Sequence, residues 1–414
     1  MASESQQAGD FVRPRGGGRR LRDTVLVAWM MAMLFAGGML YPTVILPAVT
    51  PVNGVLNAAG KPVGLDFVLF YGAGSLARDG HAIAAYDGRA ISEAESHAAT
   101  IKVTGLAWPY PPGMLLVARA AASLPYLQAV ALWVALGAIC LALMVWRASG
   151  MAVLVLPLAL CPAATYAGML GQVSLFAAAL AGAGFLLLPR RPGFAGALLG
   201  ALTLKIQLAV LIPFCLLAAR QYRALFAFLV AGAALQLLGV AYAGPAVIHA
   251  FLANASNALG HVAGSTELLM RHPTVFSAVV LAGVPGVALP LQILASLATI
   301  AVVWEVWRRS DDLAARSLAW AAGLPLAVPY FFDYDLAVFV LPLAALAGRG
   351  RSTNIGWIQA GAMALLWAMP PVIKPVTFAL GVQLGPLAAA ALLAYAAWLA
   401  RRGAPAGIAA VEAT

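Results

Sequence analysis

Charge is scarce in this chain. Asp, Glu, Lys and Arg make up 10% of its 414 residues, while 63% are hydrophobic. An ordinary soluble domain is roughly a quarter charged and about half apolar, so the shortage excludes a soluble globular protein and leaves a multi-spanning membrane protein. Acid is scarcer than base, 15 Asp+Glu against 25 Lys+Arg, for a net charge of +10. On a soluble chain that excess would point to nucleic acid, but there is too little polar surface here to make such a contact, and no nucleic-acid partner is expected. In a membrane protein the same excess is a topology signal, because Lys/Arg bias between loops sets orientation.

Cysteine is nearly missing as well. Cys140, Cys161 and Cys215 each lie in an apolar run with no second Cys or His at ligand spacing. They read as small buried hydrophobes, which excludes a disulfide framework. His249, His261 and His272 lack metal-ligand spacing and read as polar loop residues, so no metal and no other cofactor is expected. The chain has no Gly-rich phosphate loop, no HExxH and no GxSxG, which removes the usual signatures of ATP-driven transport and of the commonest soluble hydrolases. A cleavable signal peptide is also not expected. The apolar run 24–47 would be about 36 Å long as a helix, enough to span a bilayer as a signal anchor.

What is present is a series of apolar runs with charges placed between them. Residues 1–23 carry Arg13, Arg15, Arg19, Arg20 and Arg22 and read as a disordered cytoplasmic tail, so the first helix leaves on the far side. A single polytopic membrane domain then extends over 24–402, with a short cytoplasmic tail at 403–414. Residues 48–112 hold Asp66, Asp79, Asp87, Glu93 and Glu95 and form an extracytoplasmic loop. Within it the short apolar run 67–77 predicts an interfacial helix that begins at Asp66. Further apolar runs follow at 127–146, 151–167, 173–188, 225–242, 287–307, 314–330, 336–346, 355–373 and 376–400. Several are shorter than the roughly 20 residues a bilayer needs, which predicts tilted, kinked or half-membrane helices around a cavity. The expected fold is an all-α integral membrane bundle of about 10–12 transmembrane or half-membrane helices, in the cell's inner (plasma) membrane with both termini cytoplasmic.

The run 194–218 disturbs the alternation, since Arg190 and Arg191 precede it and Arg220 and Arg223 follow it. A single crossing would put one pair outside and invert every later loop. The economical reading is a hairpin of two half-length segments with Lys205 and Gln207 near its turn; a crossing at 273–281 is the alternative. With the hairpin, the outer and intramembrane charges balance, and the net +10 falls on the cytoplasmic side.

Ionisable groups at membrane depth are costly and are kept for function or paired. Asp66, at a helix start, reads either as an N-cap worth about 1 kcal/mol or as a general base held at the lipid–water boundary. Lys205 is the only lysine inside an apolar run, with side-chain carboxylates far away in sequence. It either snorkels to an interface or holds a phosphate. The run Trp108-Pro109-Tyr110-Pro111-Pro112 forces extended or polyproline-II backbone, and reads either as a rigid loop with interfacial aromatics or as a sugar-stacking or lid segment. Gln172, after Gly171, either satisfies exposed backbone or meets a sugar hydroxyl. In Tyr330-Phe331-Phe332-Asp333-Tyr334-Asp335, Asp335 is placed to cap the next helix and Asp333 to pair with Arg271 or Lys205.

Several of these short motifs, in order, resemble glycosyltransferase family 87. They are Asp66 with Gly80 and Tyr86-Asp87, Tyr110-Pro111-Pro112 with Leu124-Pro125, Gly171-Gln172, and Arg190 through Pro192 with Ala195-Gly196. Leu204-Lys205 leading through Pro213 to Arg220 and Arg223 follows, and then Pro329-Tyr330 with Tyr334-Asp335-Leu336. That family includes polyprenyl-phosphate-mannose-dependent mannosyltransferases of the GT-C type. The resemblance implies an inverting transfer of a hexose, mannose first, from a polyprenyl-phosphate donor to a lipid or cell-envelope glycan acceptor on the extracytoplasmic face. It implies Asp66 as base, Lys205 at the donor phosphate, and a substrate-binding set of Tyr110, Gln172, Gln207, Arg271, Tyr330, Asp333, Tyr334 and Asp335. Many relatives carry a Trp/His-Tyr pattern near the position of Tyr330, and this chain has none there. A non-enzymatic transporter or lipid flippase, or a structural subunit of an envelope complex, fits the composition as alternatives.

Overall fold

The computed structural model describes residues 39, 41–103, 108–349 and 356–402. The expected basic tail, most of the expected first span and the tail at 403–414 lie outside the described residues. Among those described, helix is the only regular structure, apart from isolated bridges at Asn53, Leu56 and Pro62.

The polar loop after the first run holds helices α1 (Phe67–Arg78) and α2 (Gly88–Ala99), and α3 (Met114–Ala121) directly follows it. They gather around Phe67, Phe70, Trp108, Met114 and Leu115, a second core distinct from that of the main bundle. The bundle follows as α4 (Tyr126–Ser149), α5 (Pro162–Met169), α6 (Ser174–Leu187), α7 (Pro192–Gly200), α8 (Ile212–Ala218) and α9 (Tyr222–Ala243). Next come α10 (Ala246–Ala263), α11 (Thr266–Arg271), α12 (Val275–Leu281), α13 (Ala288–Arg309) and α14 (Leu313–Ala327). The last three are α15 (Val340–Arg349), α16 (Trp357–Leu380) and α17 (Gly385–Arg402). The main core is formed largely by α6, α8, α14 and α15, with Trp307 and Trp320 edge-on to Phe185.

The protein is an all-α polytopic membrane protein. By length and composition, Tyr126–Ser149, Pro192–Ala209, Tyr222–Ala243 and Pro285–Arg309 are each able to cross a bilayer. Two bent pairs raise the number to six: Ala152–Ala159 with Pro162–Met169, bent by 54°, and Trp357–Met369 with Val372–Leu380, bent by 72°. The shorter helices match the expectation of kinked and half-length segments. The expected break near Lys374 falls a few residues earlier, at the 72° bend between Met369 and Val372, and α16 ends at Leu380, before Gly381 at φ +67°. Cys161 and Cys215 are buried, but Cys140 is on the exposed face of α4, contrary to the expectation for all three.

Two further expectations are corrected here. His249 and His261 lie on α10, an 18-residue helix, not in a loop. His272 is fully buried.

The direction of α7 settles the path of 194–218. Gly196 packs on Ala224, Gly200 on Phe228 and Gly232, and Thr203 on Gly232 and Gln236. The partner numbers rise together, so α7 and α9 run side by side in the same direction, close enough that a Cβ on Gly196 would lie 2.1 Å from the Ala224 carbonyl oxygen. The chain must double back between Lys205 and Arg220, which brings Arg190, Arg191, Arg220 and Arg223 to one end. Lys205 sits at the break, with non-helical φ −133° and ψ 81°. The alternative crossing at 273–281 is only the seven-residue α12, about 10 Å long.

On α2 the Glu95 side chain is fully buried against α1 at Gly72, and among the described residues neither carboxyl oxygen has a partner. Burial pushes this carboxyl from its ordinary 4.5 up to about 8. An acid whose pKa rises on folding keeps a proton that the unfolded chain gives up, so it lowers stability progressively as pH climbs from the ordinary value to the raised one. Glu95→Gln is therefore expected to raise the thermal midpoint in detergent by several degrees at pH 8 and hardly at all at pH 4.5. An equal effect at both would contradict the buried neutral acid.

Candidate active site

The polar interior is assembled around the start of α1. Asp66 and Phe67 donate their backbone N–H groups to the Leu170 carbonyl at 3.0 and 3.1 Å, so the N-terminus of α1 is capped by a backbone oxygen from the turn after α5. The Asp66 side chain makes no capping bond, which overturns the N-cap reading and leaves the carboxylate available. Gly171 allows this docking: it has φ +68°, and a Cβ there would come within 2.6 Å of the Phe67 Cβ. The next residue, Gln172, is buried and donates from Nε2 to Asp66 at 2.7 Å, while its Oε1 accepts from the Tyr110 hydroxyl at 3.3 Å.

Burial pushes the Asp66 carboxyl above its ordinary range, against the Gln172 hydrogen bond and the Arg271 charge; the Asp333 charge adds to the rise and Lys205 opposes it. Gln172→Ala removes a charge-assisted bond of the kind worth about 1.5–3 kcal/mol. In the variant the Asp66 carboxyl is expected to titrate at higher pH, read by infrared difference spectroscopy of the carboxyl band. An unshifted titration would mean that Gln172 does not act on Asp66.

A second group lies where the turn after α7 meets the start of α6 and the 3-10 turn Asp333–Phe339. Lys205 is buried and ion-paired with the fully buried Asp335. Ser174 Oγ donates to Asp335 at 2.7 Å and accepts from Lys205 Nζ at 3.3 Å. The ammonium also lies 4.8 Å from the centre of the Tyr334 ring. From the sequence Lys205 is a candidate partner of Asp333; the carboxylate it pairs with is Asp335. An ammonium has three N–H donors, and this one uses two on Asp335 and Ser174.

The third group is built on α11. Arg271 holds Asp333 with two bonds, Nε to Oδ2 and a terminal nitrogen to Oδ1, both 3.3 Å. Tyr166 donates to the same carboxylate at 3.4 Å, and the guanidinium lies 5.2 Å from the Phe332 ring centre. Of the two partners considered for Asp333 from the sequence, the structure selects Arg271. Asp335 also accepts weakly from the Phe332 N–H at 3.4 Å; it lies inside the 3-10 turn and bonds back to the residue before that turn, so it does not cap the next helix as expected.

A cavity of about 30 Å³ is bounded by Pro109, Tyr110, Lys205, Gln207, Tyr330 and Tyr334. The proline-rich run is thus one wall of the site. Asp66 does not line this cavity; it reaches it through the Gln172–Tyr110 hydrogen bonds. The space is of the order of one or two water molecules, so a sugar must widen it to enter. The sequence-derived substrate set is gathered within this one interior, with Gln207 half-buried at its edge.

A family comparison matches residues 108–329, more than half of the chain, to glycosyltransferase family 87. The chain belongs to glycosyltransferase family 87. No curated protein and no solved structure matches it. The matched segment of this family 87 glycosyltransferase contains Tyr110, Gln172, Lys205, Gln207 and Arg271. Asp66 lies before it, and Tyr330 through Asp335 lie after it.

For a membrane glycosyltransferase the electrostatics of this interior are instructive. Three carboxylates, Asp66, Asp333 and Asp335, share it with two cations, Lys205 and Arg271, and each cation takes one acid. Among the described residues Asp66 is left with only an amide donor, which makes it the carboxylate best able to accept a proton.

Three contributors were not legible beforehand. Ser174, two residues after Gln172, has a sequence signal only in its place at a helix start. Tyr166 has none. His272 contacts the Phe332 and Tyr330 rings, with centroids at 4.0 and 5.0 Å, and Nδ1 lies 2.6 Å from the Leu268 carbonyl oxygen. Burial lowers its pKa to about 4, so it is a neutral ring that braces the aromatic wall at neutral pH. Among the described residues no three His, Cys, Asp or Glu side chains are grouped as metal ligands.

Proposed function

We propose that this glycosyltransferase moves a hexose, mannose first, from a polyprenyl-phosphate donor to a lipid or cell-envelope glycan acceptor, at the extracytoplasmic face of the inner membrane. The observation that carries the reading is the division of labour among the charges of this interior. Asp66 is excused from capping and, among the described residues, ion-paired with no cation, while Lys205 is anchored at the cavity with one N–H to spare.

In the proposed step the acceptor hydroxyl attacks the anomeric carbon of the donor. Asp66 takes the hydroxyl proton as the new C–O bond forms, and the bond from the anomeric carbon to the phosphate oxygen breaks on the opposite side. The departing polyprenyl phosphate carries away the electron pair, and Lys205 stabilises the charge that develops on it. The anomeric carbon inverts, and Asp66 later releases its proton to water. Arg271 and Asp333 hold the α11 side of the site, and Tyr110, Tyr330 and Tyr334 give aromatic and hydroxyl contacts to the sugar. The outward orientation follows from the positive-inside bias, with both termini cytoplasmic.

The test is a radiolabelled polyprenyl-phosphate hexose in proteoliposomes. The expected result is label covalently attached to a new lipid or glycan product with inverted anomeric configuration. Label that crosses the bilayer with no new bond would make the protein a transporter or flippase instead.

A further inference from the structure

A second cleft lies at the far end of the bundle. The C-terminal ends of α13 and α17 line a groove of about 220 Å³, with Val306, Ala397 and Ala400 among its apolar residues and Arg309, Arg401 and Glu305 among its charged ones. The helix α14 separates the two regions. It starts beside the groove end of α13, where Arg316 bonds the Trp307 carbonyl oxygen at 3.1 Å, and finishes at the start of α13, where Gln292 bonds the Leu326 carbonyl oxygen at 2.8 Å. Its 15 residues span about 22 Å, so groove and candidate active site belong to opposite leaflets.

We propose that this groove binds an anionic phospholipid of the leaflet opposite the active site. Two observations define the occupant. First, the apolar lining continues into the bilayer along one face of α13, where Leu294 and Leu297 are 61% and 60% exposed. These residues lie seven and four positions before Ala301, which lines the groove, and so form one helical stripe with it. An acyl chain has a continuous apolar track here. Second, the charged residues are unevenly neutralised. Glu305 is engaged by Arg308 at 2.8 Å and by Arg309, and Arg402 stacks on Trp398 at 4.0 Å. Among the described residues Arg401 makes no ion pair, so it is the cation left for a ligand. Four arginines against one glutamate at two helix ends select a head group with net negative charge over a zwitterionic one, the chemistry of basic clefts between membrane helices on the positive-inside face.

The groove's role is independent of the transfer chemistry, and its test does not read transfer. Native mass spectrometry of the full chain in detergent, with phosphatidylglycerol or phosphatidylcholine added, measures the lipid retained. The wild type is expected to keep one phosphatidylglycerol that survives dilution. Arg401→Gln is expected to lower its occupancy at least fivefold, and Ala397→Leu, which fills the groove without changing charge, should do the same. Arg223→Gln, at another helix end, should not. Equal retention of phosphatidylglycerol by the wild type and both groove variants would overturn the proposal. So would equal retention of phosphatidylcholine. Displacement of the lipid by inorganic phosphate alone would also overturn it, because the site would then recognise a free anion without its chain. Unchanged thermal midpoints in the variants show that lost binding is not lost folding.

Discussion

Asp66→Asn is expected to lower transfer by about 10²–10⁴-fold, the range a positioned general base contributes, while donor binding is retained. The substitution is nearly isosteric, and its amide oxygen still accepts the Gln172 N–H that now lies 2.7 Å from the carboxylate. The cap on α1 comes from the Leu170 carbonyl, so the helix start does not depend on the lost charge. Only the proton acceptor is removed. The pH dependence separates this from misfolding. In the wild type, transfer should rise with pH as Asp66 ionises, with a midpoint above the ordinary aspartate value of 3.8 because burial disfavours the charge. The residual activity of the variant should lack that rise.

Stability gives an independent check. A carboxyl whose pKa is raised by folding weakens the fold as pH climbs past its ordinary value, so the Asn variant should melt at the same temperature as the wild type or higher at pH 7. Full turnover by Asp66→Asn would exclude the base assignment, and a lower melting temperature would exclude the account of its burial.

The long helices α4, α9 and α13 were legible because each is a nearly unbroken apolar run bounded by charge or glycine. The hairpin was legible too, since two arginine pairs on either side of one apolar run leave few topologies. By contrast α10 was not read as a helix, because Asn254, Asn257 and Gly260 interrupt its apolar pattern and its 18 residues pack little of their surface. Within the site, residue types could be nominated but not paired. Lys205 and Asp335 are 130 positions apart, Asp66 and Gln172 are 106 apart, and Tyr166 and Asp333 are 167 apart. No local spacing rule reaches that far. The cap that frees Asp66 is a main-chain carbonyl, for which residue identity carries no code. His272 is buried by rings that arrive from residues 330 and 332, so its own neighbours in sequence gave no hint of it.

Lys205→Met should have the second large effect, and it comprises two separable parts. Methionine keeps most of the stem volume but removes the charge, which leaves Asp335 fully buried without its cation. Breaking one side of a buried pair costs about 3–5 kcal/mol, because the remaining charge is stranded; Ser174 alone cannot replace the ammonium. The thermal midpoint should fall by several degrees, and expression could fall with it. The double variant Lys205→Met/Asp335→Asn is expected to recover most of that loss, since no buried charge is then left over. Donor use should behave differently. If the spare N–H of Lys205 meets the donor phosphate, the donor KM should rise roughly tenfold or more with Lys205→Met, as expected for a lost hydrogen bond to a charged group. It should stay high in the double variant. Asp335→Asn alone keeps the cation and should leave the donor KM near that of the wild type. The cycle thus reads two couplings between the same residues, one in stability and one in donor affinity. A donor KM that returned to normal together with the stability would assign Lys205 a purely structural part, and the phosphate contact would have to be sought at Arg271.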